Sequence, residues 1–237
     1  NATQGQEAED AKNLVSPLWR MGYTPFVHQA EAWRYLLRDK KSVVVTTGTG
    51  SGKTECFLMP VIKDIASEAA KRAAQGDDSH PVEALFLYPL NALMTDQKER
   101  IDKYLYALDD FGEQLTFAVY NGNTPQEGFD TEAVVEARKL AESLSKTTYD
   151  EAVESGRQNC RRGVVHEQVS RDEIREVGSN ILITNPSMLE YMLLRRKDQP
   201  IFARSKGKLR WIVIDETHTF TGAAAAELAL LLRRVML

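Results

Sequence analysis

The sequence predicts an α/β fold: a parallel sheet with helices on both faces. Three observations predict it. Short apolar runs recur along the chain, at residues 43–46, 84–88, 115–120, 180–184 and 209–214. Stretches with helical spacing lie between most of them, and a run that is apolar at successive positions suits a strand buried on both faces. The first run also leads through a glycine-rich turn straight into a helix, the strand–turn–helix order of a phosphate cradle. In open sheets of this kind ligands gather at the carboxyl ends of the strands.

The elements follow in order. Residues 15–20 and 30–37 carry apolar side chains at helical spacing, and Gly22-Tyr23-Thr24-Pro25 breaks the two helices apart. Residues 43–46 read as a buried strand, and 55–74 as a helix that Pro60 is set to kink in its first turns. Residues 76–81 form a loop, 84–88 a second buried strand ended by Pro89, and 92–108 a helix. Strands follow at 115–120, 180–184 and 209–214, and an Ala/Leu-rich helix at 222–237 places Arg233 and Arg234 at its C-terminal end, where the helix dipole favours cations. Between Asn121 and Gly178 the pattern changes. Asn121-Gly122-Asn123 before Pro125 is a turn, 131–153 is charged and weakly amphipathic, and Ser170-Arg171-Asp172-Glu173 has the spacing of a capping box. This region, about 126–178, reads as a mostly helical insertion on the sheet. Residues 1–22 read as an N-terminal helical extension, and 23–237 as one domain.

With 237 residues the chain is long enough for a sizeable core. No apolar run reaches bilayer length, and no secretory leader is expected at the start. Cys56 and Cys160 are isolated, which points to a reducing cytoplasm and away from a disulfide framework or a local zinc site. The net charge is −4, so any nucleic-acid contact must be a local surface and not a global attraction.

The turn is Thr47-Gly48-Thr49-Gly50-Ser51-Gly52-Lys53-Thr54. Its glycines let backbone N–H groups turn inward toward an anion, and the following helix adds its positive end. Lys53 reaches the outer phosphates as a point charge, and the Thr54 hydroxyl ligates Mg²⁺. A strict phosphate loop begins with glycine. Here the position is Thr47, whose β-branch calls for a negative φ. A second constellation is the strand Trp211-Ile212-Val213-Ile214 ending in Asp215-Glu216-Thr217-His218. Asp215 can hold Mg²⁺ opposite Thr54, and Glu216 can orient and deprotonate an attacking water. Two carboxylates beside a triphosphate need a cation between them.

Together these two stretches resemble motifs I and II of the superfamily 2 helicases of the DEAD/DEAH-box type, where Thr is usual at the position of Thr47. Phe26-Val27-His28-Gln29 resembles the upstream glutamine motif. Tyr88-Pro89-Leu90-Asn91-Ala92-Leu93 resembles motif Ia, and Thr184-Asn185-Pro186-Ser187-Met188-Leu189 resembles motif Ib. Tyr120-Asn121-Gly122-Asn123-Thr124-Pro125 is similar to a turn of the branch that holds mitomycin-repair helicases and DISARM-type phage-defence helicases. The resemblance implies a RecA-like first motor domain using ATP and Mg²⁺. Thr47, Gly48, Thr49, Gly50, Ser51, Gly52, Lys53 and Thr54 would bind the nucleotide, with Gln29 reading the adenine edge. Lys53, Asp215 and Glu216 would cleave it, His218 would couple cleavage to a second motor domain, and Thr54 and Asp215 would hold the metal. Pro89, Asn91, Ala92, Thr184, Asn185 and Pro186 would touch a nucleic-acid strand, DNA favoured over RNA. Backbone N–H groups and small polar side chains suffice for phosphate contact, which reconciles such a role with the acidic balance.

The family expects a further Ser/Thr-rich strand and a second RecA-like domain whose arginine fingers supply about 10³ to 10⁵ in rate. Neither is recognised in this sequence. The expectation is therefore a piece of a longer protein that binds nucleotide weakly and turns it over negligibly by itself. Two other readings stand beside the helicase: a catalytically silent helicase-like scaffold, and another P-loop NTPase such as a small-molecule kinase.

Overall fold

The computed structural model describes residues 9–16, 24–48, 50–106, 115–127 and 166–236. They fall into two compact units, one running through Asp78 and the other comprising Ser79–Tyr106 and the residues from Leu115 on.

The first unit is helical. Helix α1, Val27–Trp33, continues as a π-helical turn over Arg34–Arg38. Helix α2, Lys53–Ala73, runs on through Pro60, which forfeits a single backbone bond within it. The helices share a core of Trp33, Leu36, Leu58, Met59, Ile62 and Ile65. Trp33 is fully buried and its indole N–H donates to the Glu55 carbonyl at 2.9 Å, so the ring's one polar atom is satisfied inside the core.

The second unit carries a five-stranded, wholly parallel sheet. Its strands are β1 (Ala84–Leu87), β2 (Phe117–Val119), β3 (Glu167–Gln168), β4 (Ile181–Thr184) and β5 (Trp211–Ile214), in spatial order β3-β2-β4-β1-β5. The central strands β1 and β4 are buried at every residue, which explains their unbroken apolar sequences Ala-Leu-Phe-Leu and Ile-Leu-Ile-Thr. Helices cover both faces. Leu85, Leu87, Ala118, Tyr120 and Leu182 pack on one side against α4 (Arg171–Glu176), α5 (Pro186–Leu194), α6 (Gln199–Ser205) and α7 (Ala223–Val235). Ala84, Phe86, Phe117, Ile181 and Ile183 face the other way, where α3 (Asn91–Tyr106) lies on β2 and β4 with Met94, Ile101 and Leu105 buried.

The expected capping box starts α4. The Ser170 hydroxyl accepts from the Glu173 N–H at 3.2 Å, and the Glu173 carboxylate reaches back to the Val169 N–H at 2.9 Å. Two expected elements differ. The helix expected at 15–20 meets a turn at 15–16, after helical residues 9–14, and its remaining residues lie outside the described ones. Residues 43–46 belong to no strand, and Val44 is 85% exposed, whereas Val43 and Val45 are half-buried. The segment has the alternating exposure of a strand, but the described residues of its own unit form helices and include no strand to receive its backbone bonds. The helix expected at 131–153 lies outside the described residues. The described part of the insertion adds β3 to the sheet and α4 beneath it.

Candidate nucleotide site and strand-end loops

In the first unit the glycine-rich turn is held from four sides. Gly50 and Gly52 both take φ of +77°, the left-handed region that glycine enters without strain. Thr47 is not among the positive-φ residues, as its β-branch requires. Its hydroxyl pairs with the Ser51 hydroxyl at 2.6 Å. The Lys53 ammonium donates to the carbonyls of Thr47 at 2.7 Å and Gly48 at 3.1 Å, so the cation lies across the mouth of its own loop. The His28 ring meets the Ser51 carbonyl at 3.0 Å.

Gln29 ties this loop to α1. It is 3% exposed; its carbonyl oxygen accepts from the Phe26 N–H at 2.9 Å and its amide donates to the Gly52 carbonyl at 3.1 Å. An amide has two N–H groups and two lone pairs on oxygen, so one of each remains for a further partner. The tie also explains the glycine at 52: a Cβ there would stand 2.5 Å from the Gln29 amide nitrogen. Thr49 lies outside the described residues. Burial and the neighbouring Glu55 charge push the Cys56 thiol up to about 11, one turn into α2.

In the second unit the acid pair sits at the carboxyl end of β5, as expected. The Asp215 N–H still belongs to the sheet, donating to the Leu87 carbonyl at 3.0 Å. The Asp215 carboxylate accepts from the Glu216 N–H at 2.8 Å, which fixes its direction. Glu216 has φ of +49°, an uncommon left-handed conformation for a residue with a side chain, and it turns the chain out of the sheet into the 3₁₀ turn Thr217–Thr219. Its carboxylate lies 3.2 Å from His218 Nδ1.

The loops after β1 and β4 meet. The Asn185 amide donates to the Asn91 side-chain oxygen at 3.1 Å, both residues being at the surface. Asn185 also caps α5, accepting from the Met188 N–H at 2.8 Å, with Pro186 in the first turn. Two helix N-termini, those of α3 and α5, therefore lie side by side at the carboxyl edge of the sheet, the geometry that favours phosphate. Thr184 departs from its expected role. Its side chain is fully buried and its hydroxyl donates to the Tyr120 carbonyl at 2.6 Å, so it holds strand β2 and cannot offer that hydroxyl to a ligand.

Sequence reasoning missed a buried polar knot behind these loops. Asp198 is completely buried and accepts from the Tyr120 hydroxyl at 2.7 Å and from Arg175 Nε at 2.8 Å; Arg175 also donates to that hydroxyl at 2.9 Å and to Asp172 at 2.9 Å. The Arg171 guanidinium lies 5.4 Å from the Tyr120 ring centroid and donates to the Asn121 carbonyl at 3.0 Å. The Asn121–Thr124 turn is internally bonded as well, Asn121 Oδ1 to the Asn123 N–H and the Thr124 hydroxyl to the Val119 carbonyl, both at 2.8 Å. Sequence spacing carries no signal for the knot, because its members are 23 to 78 positions apart.

The model of the DEAD/DEAH box helicase family matches residues 26–136. The chain is similar to Druantia protein DruE of Escherichia coli (strain UMEA 4076-1), 32% identical over 96% of this chain and 16% of that protein. It is similar to the uncharacterized ATP-dependent helicase YprA of Bacillus subtilis, 26% identical over 89% of this chain and 20% of the relative. It is also similar to the ATP-dependent helicase Lhr-Core of Methanothermobacter thermautotrophicus, 26% identical over 86% of this chain and 19% of the relative. The chain thus spans a fifth or less of the length of these three relatives.

Proposed function

We propose a function from the premise that this chain belongs to the DEAD/DEAH-box helicases of superfamily 2: it is a RecA-like motor domain that binds and hydrolyses ATP to move a protein along a nucleic-acid strand. The observation that carries the reading is the phosphate loop, with Gly50 and Gly52 in left-handed geometry and Lys53 held across its mouth.

In this reading the loop's inward N–H groups and the start of α2 take the phosphates, and Lys53 exchanges its loop carbonyls for phosphate oxygens. Gln29 uses its remaining donor and acceptor on the adenine edge, which presents the complementary pair. Thr54 and Asp215 would each offer Mg²⁺ an oxygen ligand. The donor chemistry fits that ion, a hydroxyl and a carboxylate being hard oxygen ligands, and the Asp215 carboxylate is already oriented by the Glu216 N–H. Bound there, the cation would neutralise charge developing on the transferred phosphoryl group. Glu216 positions and deprotonates the attacking water, with His218 at 3.2 Å steadying its carboxylate and conveying its state onward.

Pro89, Asn91, Ala92, Asn185 and Pro186 take the strand's phosphates at the paired helix N-termini, and Thr184 supports them from beneath. We read the strand as DNA from the resemblance of Tyr120–Pro125 to the turn of the mitomycin-repair branch; two further relatives, each matched over 39% of this chain, are named ATP-dependent RNA helicase DBP9, so the DNA-versus-RNA comparison is part of the test. A second RecA-like domain completes the motor, and the buried free thiol of Cys56 accords with a reducing cytoplasm. Among the described residues no helix is long and apolar enough to cross a membrane.

Single-turnover hydrolysis tests the reading. Glu216→Gln should keep ATP binding and lower the rate by about 10² to 10⁴, the usual contribution of a general base. Single-stranded DNA should raise wild-type turnover more than RNA does. Unchanged hydrolysis in Glu216→Gln would instead favour the silent scaffold or a different P-loop chemistry.

A further inference from the structure

Tyr88 is the last residue before the Pro89–Asn91 loop, and its side chain is fully buried. Among the described residues its hydroxyl has no hydrogen-bond partner. A buried hydroxyl left unpaired costs about 1–3 kcal/mol, so its persistence in a well-packed sheet calls for an explanation.

The register of the sheet supplies one. Leu87 pairs with Ile214 on one side and Thr184 on the other, so the next row across the sheet is Asn185, Tyr88 and Asp215. The row is still held by backbone: the Tyr88 N–H donates to the Thr184 carbonyl at 3.0 Å, and the Asp215 N–H to the Leu87 carbonyl at 3.0 Å. Residues in register on neighbouring parallel strands share a face, about 4.8 Å apart across the ladder. The Tyr88 phenol and the Asp215 carboxylate therefore project from the same side of the sheet, away from Leu87 and Ile214. A phenol is protonated at neutral pH, so the hydroxyl is available as a donor.

We infer that Tyr88 is a positioning residue for the cation site: its buried, unpartnered hydroxyl, on the residue in register with Asp215, is a donor held in reserve that would orient the carboxylate when it takes a cation. One Asp215 oxygen is already claimed by the Glu216 N–H, and the phenol would supply a second donor from the neighbouring strand. Second partners of this kind fix the direction of a metal ligand and commonly set metal affinity. The inference rests on the proposed role of Asp215.

The test is a Mg²⁺ titration of fluorescent mant-ATP binding to the wild type, Tyr88→Phe and Asp215→Ala, with nucleotide affinity in EDTA and thermal unfolding recorded for each. Phenylalanine keeps the ring and removes an unpaired hydroxyl, so the fold should hold. The expected result is a Mg²⁺ midpoint raised about 10-fold in Tyr88→Phe, with affinity in EDTA unchanged. A Tyr88→Phe curve superimposed on the wild type, with Asp215→Ala shifted, overturns this inference alone. An unshifted Asp215→Ala curve overturns the assignment of Asp215 to the metal, and this inference with it. Affinity in EDTA falling in parallel with affinity in Mg²⁺ shows a packing role and also overturns it.

Discussion

The phosphate loop and the Tyr120–Arg175–Asp198 knot hold their shapes in opposite ways. The loop is exposed at Gly48 and Gly50 and is fixed by glycine dihedrals and by side chains bonded to its own carbonyls, from residues 23 positions away at most. The knot is buried and is fixed by ionised and hydroxyl groups brought together from three separate elements. A change in the loop should therefore remove function and leave the fold. A change in the knot should unfold the sheet's carboxyl edge and carry function away with it.

The largest expected effect tests that contrast. Arg175→Met leaves the Asp198 carboxylate buried, with Arg195 at 3.8 Å as its remaining cation. Breaking one side of a buried pair costs about 3–5 kcal/mol, which urea unfolding would read. Lys53→Ala should cost under about 0.5 kcal/mol and abolish ATP binding. Arg175→Met unfolding at the wild-type urea concentration would break the comparison. Replacing both charges, Arg175→Met with Asp198→Leu, should recover most of the loss, because the stranded charge is gone.

Two glycines give the next effects. Gly178 has φ of +94°, and a Cβ there would run into the His80 backbone carbonyl, which cannot swing aside. Gly178→Ala should cost about 1–3 kcal/mol, near the top of that range. Gly52→Ala meets the movable Gln29 amide and the same kind of backbone strain, and should cost about 1–2 kcal/mol. Its larger effect should fall on nucleotide affinity, since it displaces the tie between α1 and the loop. Equal affinity in Gly52→Ala and wild type would show that the tie is ornamental.

Smaller still is an alkaline effect. Burial first, then the hydrogen bond and charge of Asp198, push the Tyr120 phenol from 10.0 up to about 12. The folded chain keeps this proton while the unfolded chain gives it up. The stability it contributes is therefore complete below pH 10 and lost as pH rises toward 12. Urea midpoints measured across that window should fall more steeply in the wild type than in Tyr120→Phe.

The same contrast explains what the sequence disclosed. The loop was legible because its parts are contiguous, from Thr47 to Thr54, and its chemistry demands particular residues at particular places. Strands β1 and β4 were legible because a strand buried on both faces must be apolar throughout, and β5 shows the same unbroken apolar run although its residues are only half-buried. β3 was not: it is two polar residues, Glu167 and Gln168, with too little pattern to read. Residues 43–46 showed the limit of apolar runs, which report that a segment can be buried but not whether an edge is available to bury it. Tyr120, Arg175 and Asp198 each look ordinary alone, and only folding makes them a unit. Tyr88 was visible as part of a motif, but its unpaired hydroxyl appears only once the strands are in register.

The central proposal is that Lys53 of the loop and Asp215 of the acid pair each act on a Mg²⁺-bound triphosphate. Calorimetric titration of Mg·ATP into the wild type, Lys53→Ala and Asp215→Ala tests it most directly. The account predicts that Lys53→Ala shows no binding and that Asp215→Ala loses the part of the affinity that depends on Mg²⁺. An Asp215→Ala protein that binds Mg·ATP as tightly as the wild type would contradict it.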